Sequence, residues 1–191
     1  MTESLVAEVP TDERILDATI AVLGRQGVAG VSMRAVAREA GVAVGLANYY
    51  FDSKTALISA ALGRIGDNDM LLVTPPVDLS PKDQLRHCLR HAVDPSFLAP
   101  TYLSLRLQLW SLAGVDPVFA EINQTAQRRY LDGLADLLHA ARPDLDRAEI
   151  QRRAADILIE QNGVWLTAIL ISDNEAVERS LLRCEHIAFA A

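Results

Sequence analysis

The sequence predicts an all-α protein with about nine helices. Ala and Leu are abundant, while aromatic residues make up only 5% of the 191 residues. Apolar residues recur at the spacing of a helix face, and the strict alternation typical of strands is hard to find. Gly, Pro and capping side chains separate these apolar runs. Together these patterns favour helices joined by short turns.

Four helices are predicted in the N-terminal third of the chain. Thr11 is the expected N-cap of the first helix, because acidic residues follow it in the first turn, and Gly27 is its expected end. Ser32 is expected to cap the second helix and Gly41 to end it. The fourth helix follows Asp52-Ser53. The predicted spans are 11–27, Met33–Ala40, Val44–Tyr50 and 54–66.

The helical pattern stops between Gly66 and Ser80, where Pro75-Pro76 excludes a helix interior. We therefore expect two domains, residues 1–66 and 67–191. Loop or capping clusters divide the second domain into five further helices. The clusters are Asp94-Pro95, residues 114–117, residues 142–144 and Ser172-Asp173-Asn174, and the predicted helices span 81–93, 96–113, 117–141, 147–171 and 174–190.

Cysteine usage and hydropathy indicate the class of protein. Cys88 and Cys184 are too few and too far apart for a disulfide framework, which favours a reducing compartment. The N-terminus lacks the basic and apolar regions of a secretion signal. No apolar run reaches the length of about 18 residues that a spanning helix needs. We expect a cytoplasmic protein with no membrane partner.

The net charge of −7 is unevenly distributed. Residues 11–66 hold six Lys or Arg and five Asp or Glu, whereas residues 67–191 hold 12 basic and 18 acidic residues. A nearly neutral module still binds nucleic acid if its few cations face phosphates, and a dimer doubles their number. The charge therefore permits a DNA partner without demanding one.

Residues 32–50 have the pattern of a helix-turn-helix. Ala37 is small enough for two helices to cross closely, and Gly41 tolerates the positive φ of a tight turn. Apolar residues are expected to fill the wedge between the helices: Val36, Ala40, Val42 and Ala47. The side of the second helix that remains outside carries Val44, Gly45, Leu46, Asn48 and Tyr49. Asn suits adenine, and Val or Leu can meet a thymine methyl group. Small-residue helix pairs also occur in ordinary bundles, so the pattern alone leaves both readings open.

The run from Thr11 to Leu62 resembles the N-terminal domain of the TetR-family regulators. The resemblance is carried by Gly27, Gly30, Ser32, Ala37, Gly41-Val42, Gly45, Tyr50-Phe51, Ser53-Lys54 and Leu57. It implies a homodimeric, ligand-responsive protein, usually a repressor, that binds a palindromic operator in double-stranded DNA and is released by a small molecule.

The same resemblance implies roles for single residues. Ser32 and Arg34 correspond to positions that contact phosphates, and Lys54 to a lysine that meets the DNA backbone. The recognition helix would comprise Val44, Gly45, Leu46, Asn48 and Tyr49. Three positions depart from the family: it often has Ser or Thr at Ala43, a polar or basic residue at Val44, and Tyr at Asn48. Base contacts are therefore expected to shift towards Leu46, Asn48 and Tyr49.

The segment from Leu103 to Leu170 resembles the C-terminal domain of the choline-responsive repressors of the family. A choline site needs aromatic faces around a quaternary cation, so the resemblance does not transfer the ligand. A mostly apolar site with a few amides is nevertheless expected for an unidentified small-molecule effector. The candidate lining is Leu107, Trp110, Asn123, Gln161, Asn162 and Trp165. The alternative is that both tryptophans belong to the core.

Long apolar stripes mark the last two predicted helices. They include Ile150, Ile157, Leu166 and Leu170 in the first helix and Val177, Leu181 and Ile187 in the second. In the family these helices form a four-helix dimer interface, and a two-fold dimer suits a palindromic operator. A buried monomer core is the alternative.

No catalytic or cofactor signature is present, so no enzyme and no cofactor are predicted. His87 and His91 lie four residues apart on a predicted helix, but they lack the context of a metal site. Cys184 and His186 point to diverging faces and form no nucleophile–base pair. A metal-dependent helical enzyme and a ligand-free structural or partner-binding dimer of the same fold remain the alternative functions.

Overall fold

The computed structural model describes residues 9–171 and 173–190, so Ser172 of the predicted capping cluster lies outside the described residues. Within these ranges the chain forms nine α-helices, one short 3₁₀ helix and no strand, which confirms the all-α prediction. The α-helices are α1 Thr11–Gly30, α2 Met33–Ala40, α3 Val44–Tyr50, α4 Lys54–Asp69, α5 Pro81–His91, α6 Pro100–Ala113, α7 Pro117–Ala141, α8 Arg147–Leu170 and α9 Asn174–Phe189, and the 3₁₀ helix is Met70–Val73.

The contacts divide the chain into two compact units, one ending at Gly63 and the other beginning at Arg64. The sequence places the boundary three residues later, after Gly66. Helix α4 runs through both positions without a turn, so no local signal marks the division. In the described part of the chain, no helix has the length and apolarity of a membrane-spanning segment.

Side-chain caps mark the starts of several helices. Ser32, Asp116, Asp146 and Asp173 each accept a backbone N–H in the first turn of α2, α7, α8 and α9. The expectation for Thr11 is wrong, because it is the first helical residue and Pro10 stands at the cap position without a side-chain bond. Gly27 interrupts α1 with a φ of 65°, and the chain then continues in helical form to Gly30.

Helix α4 is longer than the sequence predicts. Gly66 is an interior position of α4 and not its end, because tertiary packing uses its missing side chain. A Cβ atom on Gly66 would lie 2.9 Å from the Cβ of Ala126 in α7. The continuation brings Asp69 to the last position of α4. Helix α6 begins at Pro100, whose fixed φ suits the first turn, and not at residue 96.

The core of the second unit is built from apolar faces of five helices and the 3₁₀ helix. Its largest fully buried side chains are Leu72, Leu85, Leu89, Leu134, Leu138 and Ile157. Burial of such side chains is worth about 1.5–3 kcal/mol each relative to exposure. This core holds α6, α7 and α8 in place around the polar side chains described below.

Candidate DNA interface and buried polar centre

The turn between α2 and α3 has the geometry that the sequence predicts for a helix-turn-helix. Gly41 adopts left-handed backbone angles, with φ 67° and ψ 35°. The N–H of Val42 then donates to the carbonyl of Ala37 at 2.9 Å, which closes the end of α2. A side chain at Gly41 would be strained in this conformation, so glycine is required by the turn itself.

Small and branched apolar side chains fix the crossing of α2 and α3. Val36, Ala37 and Ala47 are completely buried. Ala40 and Val42, which the sequence assigns to the same wedge, are only half-buried. The guanidinium of Arg14 in α1 donates to the carbonyl of Ala40 at 2.9 Å, which ties the end of α2 to α1. The short α3 is therefore held by packing on one side only.

The opposite side of α3 is exposed. Val44, Gly45, Leu46 and Asn48 lie on the surface, and Tyr49 is 79% exposed. The neighbouring ring of Tyr50 packs edge-on against Tyr49, with 5.3 Å between the centroids. These are the five residues that the sequence assigns to a recognition helix. An exposed row of apolar, amide and phenol groups on a short helix has the chemistry to read base edges in a major groove.

Two caps and three cations flank this surface. The Ser32 hydroxyl accepts the N–H of Ala35 at 3.1 Å, and Ser53 caps α4 in the same way with the N–H of Ala56 at 3.0 Å. Lys54 is the first residue of α4. The side chains of Arg34, Arg38 and Lys54 are exposed, and none forms an ion pair with another residue of the described ranges. Exposed cations that are not paired within the protein can contact phosphates.

Ala43 stands at the N-cap of α3 without a side-chain hydrogen bond. The family resemblance implies Ser or Thr as the usual residue at this position, and the missing hydroxyl leaves the first turn of α3 without that cap. Cap bonds of this kind are worth about 1 kcal/mol. Packing of Ala47 and the αL turn must therefore hold the start of α3.

In the second unit, Trp165 belongs to the core. It is 3% exposed, and its indole N–H donates to the carbonyl of Ala92 at 2.9 Å. The guanidinium of Arg106 lies 3.8 Å from the centroid of its ring. The alternative that the sequence analysis left open, a core tryptophan with a local N–H bond, therefore describes Trp165. Trp110, one turn beyond Arg106 in α6, is half-buried.

Arg106 is the centre of a buried polar cluster that the sequence analysis missed. It forms an ion pair with Asp69 through Nη2, and the hydroxyl of Tyr102 donates to the same carboxylate oxygen. Burial raises the pKa of Asp69 above its usual value, although Arg106 and the hydrogen bonds from Tyr102 and Arg106 act in the opposite direction. The ion pair therefore joins the last residue of α4 to the middle of α6.

The predicted amide Gln161 lies close to this cluster. It is 3% exposed, one turn before Trp165 on α8, and its side-chain oxygen accepts the hydroxyl of Tyr130 at 2.6 Å. Burial raises the pKa of Tyr130, so the phenol stays protonated and acts as the donor. We name Asp69, Tyr102, Arg106, Tyr130, Gln161 and Trp165 the buried polar centre.

The other predicted lining residues lie outside the buried polar centre. Leu107, Asn123 and Asn162 are half-buried, and the side-chain oxygens of Asn123 and Asn162 are buried without a hydrogen-bond partner. A groove of about 400 Å³ in this unit lies elsewhere, between α7 and α8, and contains none of the predicted lining. It is lined by Asp132, Ala135, Asp136, His139, Arg147, Ile150 and Gln151. One signal for the centre was visible in the sequence, since Arg106 interrupts the apolar run of α6.

Groups of metal-ligating residues do not assemble in the described part of the chain, where no three His, Cys, Asp or Glu side chains are placed to hold an ion. His87 and His91 stack with 5.8 Å between their rings, and His91 is bonded through Nδ1 to Asp94. Burial raises the pKa of Cys88 to about 11 and that of Cys184 to about 12. Both thiols are therefore protonated near neutral pH and poor nucleophiles.

Comparison with known proteins agrees with the geometry of the first unit. Residues 15–61 match the model of the N-terminal domain of the family described as "Bacterial regulatory proteins, tetR family". The matched segment begins in α1 and contains the whole helix-turn-helix and the first half of α4. It therefore includes every predicted DNA-contacting residue.

Relatives are found over most of the chain. The HTH-type transcriptional regulator BetI of Paraburkholderia phymatum is 26% identical, over 84% of this chain and 82% of its own length. BetI 1 of Chromohalobacter salexigens is also 26% identical, over 87% and 83%. Both relatives are described as transcriptional regulators, in agreement with the prediction of a regulator and not an enzyme.

Solved structures share the fold. A TetR transcription regulator from Haloarcula marismortui has a TM-score of 0.76 at 21% identity, covering 93% of this chain and 96% of its own. The multidrug binding protein EbrR, complexed with proflavin, has a TM-score of 0.65 at 25% identity, covering 93% and 99%. The predicted family resemblance is thus confirmed: residues 15–61 match the TetR-family helix-turn-helix model, and the chain is similar to the BetI transcriptional regulators over most of its length.

Proposed function

We propose that this protein is a homodimeric cytoplasmic repressor that binds a palindromic operator and leaves it when a small-molecule effector binds. The observation that carries the proposal is the exposed face of α3, which is presented by a rigid αL turn and a buried wedge. Leu46, Asn48 and Tyr49 are the proposed base-reading side chains. Ser32, Arg34 and Lys54 are the proposed phosphate contacts, with Val44 and Gly45 close to the DNA.

A two-fold dimer is supported by apolar side chains that α8 and α9 leave exposed. Ile159, Leu166 and Leu170 are spaced by seven and four residues, so they share one face of α8. Leu182 on α9 is also exposed, and α8 packs against α9 along its length. A second copy of the same pair of helices would cover this surface and build a four-helix interface. It would also supply the second recognition helix that a palindrome requires.

Effector control is supported by the buried polar centre and by the bound proflavin of EbrR, which shows that a protein of this fold holds a small molecule. Helix α4 carries Lys54 at its first position and Asp69 at its last. An effector that binds the centre with different affinities in two states would tilt α4 and change the spacing of the two recognition helices. Trp110, Leu107, Asn123 and Asn162 remain proposed lining residues of the effector site.

The experiment is a fluorescence anisotropy titration with DNA from upstream of the regulator's own gene, at several salt concentrations. Lys54→Gln is compared with Lys82→Gln, which removes the same charge from the first turn of α5. Loss of one phosphate contact in each half of a dimer should lower the salt slope by about two units, because each contact contributes about 0.9. We expect this for Lys54→Gln and an unchanged slope for Lys82→Gln.

Equal slopes for the two variants would contradict the role of Lys54, and absence of salt-sensitive binding to any site would contradict the proposal. Sedimentation equilibrium of the wild type and of Leu170→Glu tests the dimer. A charge at an apolar interface should shift the variant towards monomer, whereas a monomeric wild type would leave the apolar face unexplained. If DNA binds but no effector is found, the ligand-free DNA-binding dimer becomes the better description.

A further inference from the structure

We propose that the effector carries a carboxylate, which takes the place of the Asp69 carboxylate on Arg106. The inference deepens the proposed function, since it names the chemical class of the effector. It rests on the proposed function only in identifying the bound compound as the effector, because binding of a carboxylate can be measured without DNA.

Two buried donors in this centre have no acceptor. Asp69 occupies only Nη2 of Arg106, and the Nε–H of the same guanidinium, in a side chain that is 4% exposed, has no hydrogen-bond partner. The side-chain nitrogen of Gln161 is also buried without a partner, because its oxygen serves Tyr130. Buried donors without acceptors are costly. A ligand that brings acceptor oxygens would satisfy them, and a carboxylate could bridge Nε and Nη2 as a bidentate pair.

A cationic ligand does not fit the same place. The face of the Trp165 ring is already covered by the guanidinium of Arg106, and its indole N–H is already bonded to Ala92. A quaternary ammonium group would have to displace this cation or lie beside it in a medium of low polarity, where like charges repel strongly. The centre therefore selects an anion, even though the sequence of this half resembles that of choline-responsive repressors.

In this proposal the carboxylate of Asp69 occupies the position on Arg106 that the carboxylate of the ligand would take. The Asp69 carboxylate accepts from both Tyr102 and Arg106, yet burial keeps its pKa raised, so the charged form is held against a desolvation cost. Asp69 is the last residue of α4, and its side chain is still 12% exposed. A competing carboxylate with an apolar body would release Asp69 to water and free the final turn of α4. Buried leucines of α6 surround the position of Arg106 along the helix: Leu103, Leu105 and Leu109.

The test uses the full-length wild-type protein and its Trp110→Phe variant, in which Trp165 is the single tryptophan. Binding to the wild type is measured by titration calorimetry, and the fluorescence of the variant reports on the guanidinium above the ring of Trp165. The probes are sodium butyrate, octanoate and benzoate at constant ionic strength, compared with octanamide and choline chloride. We expect a saturable change with at least one carboxylate, and binding weaker by about tenfold or more for the uncharged and cationic probes, as loss of a charged hydrogen bond predicts.

Asp69→Asn is the decisive variant, because it removes the internal competitor and retains a side chain of the same size. Its carboxylate affinity should rise by about tenfold, and the carboxylate should raise its Tm more than that of the wild type. A merely structural role for Asp69 would leave the affinity unchanged or lower it. Arg106→Lys, which keeps the charge and loses Nε and the fork, should weaken carboxylate binding by about tenfold.

The proposal is overturned if none of the three carboxylates binds the wild type or changes Trp165 fluorescence, if octanamide or choline binds as well as they do, or if Asp69→Asn does not tighten binding. Each of these outcomes leaves the DNA measurements of the proposed repressor intact. Conversely, carboxylate binding by a protein that fails to bind DNA would contradict the proposed function and not the ligand class.

Discussion

Removal of one partner from the Asp69–Arg106 pair should destabilise the second unit far more than removal of both. Arg106→Met leaves the carboxylate of Asp69 buried without its cation, and Asp69→Asn leaves a guanidinium buried on Trp165. Breaking a fully buried pair costs about 3–5 kcal/mol, whereas replacing both partners is often close to neutral. Because the Asp69 side chain is 12% exposed and water can reach it, we expect the lower end, about 3 kcal/mol, for each single variant.

The assay is urea unfolding followed by circular dichroism at one fixed protein concentration, since dimerisation makes stability depend on concentration. A loss of about 3 kcal/mol corresponds to a fall in Tm of about 6–12 °C for a chain of this size. With the double variant close to neutral, the coupling energy between the two positions should be about 6 kcal/mol, above the range of about 0.5–3 kcal/mol usual for residues in contact.

The ion pair of Asp67 and Arg129 provides the matched control. It also joins a carboxylate to a guanidinium, and Asp67 lies only two residues before Asp69 in α4. The side chains of Asp67 and Arg129 are 65% and 51% exposed, with 2.6 Å between the charged atoms. An exposed pair of this kind contributes about 0–1 kcal/mol. A coupling energy for Asp69 and Arg106 that does not exceed the value for Asp67 and Arg129 would refute the reasoning.

Two further outcomes are expected. Gly41→Ala should lower the free energy of unfolding in urea by about 1–2 kcal/mol, because the φ of Gly41 is 67°. Gly45→Ala in α3 should be neutral or stabilising, because a Cβ atom there meets nothing within 4 Å. Equal effects of the two variants would contradict backbone strain at position 41. Hydrogen bonds from Arg152 and Arg153 hold the pKa of Glu149 at about 2, against an ordinary value of 4.5. The stability advantage of the wild type over Glu149→Gln should therefore be complete above pH 4.5 and disappear as the pH falls through about 2, and an advantage independent of pH would contradict this.

The helix-turn-helix could be predicted from the sequence because each of its signals is local. Ser32 caps the residue three positions later, and Gly41 is required by the backbone angles of a single turn. Ala37 and Ala47 are small at the positions where two neighbouring helices cross. The predicted start of α1 is wrong by one residue, because Pro10 and not Thr11 stands at the cap position.

The buried polar centre could not be predicted in the same way, because its members come from four helices far apart in the chain. Gly66 carries the local signal of a helix end, yet it serves as a contact point for Ala126 and lets α4 continue to Asp69. Because the sequence predicts that α4 ends at Gly66, it gives no position for Asp69, the partner of Arg106. The sequence identified Gln161 and Trp165 as candidate lining residues of an effector site, but only the fold shows that Arg106 covers the indole ring of Trp165.

The central claim is that the exposed face of α3 reads a DNA sequence, and a selection from random oligonucleotides tests it most directly. The wild type and Asn48→Ala are each used to select binding sites, and the affinities for the winning site and its single-base variants are measured. We predict a palindromic site for the wild type and, for Asn48→Ala, relaxed preference at one base pair in each half-site, worth about 1–3 kcal/mol. Selection of no common sequence by the wild type, or an identical profile for Asn48→Ala, would contradict the account.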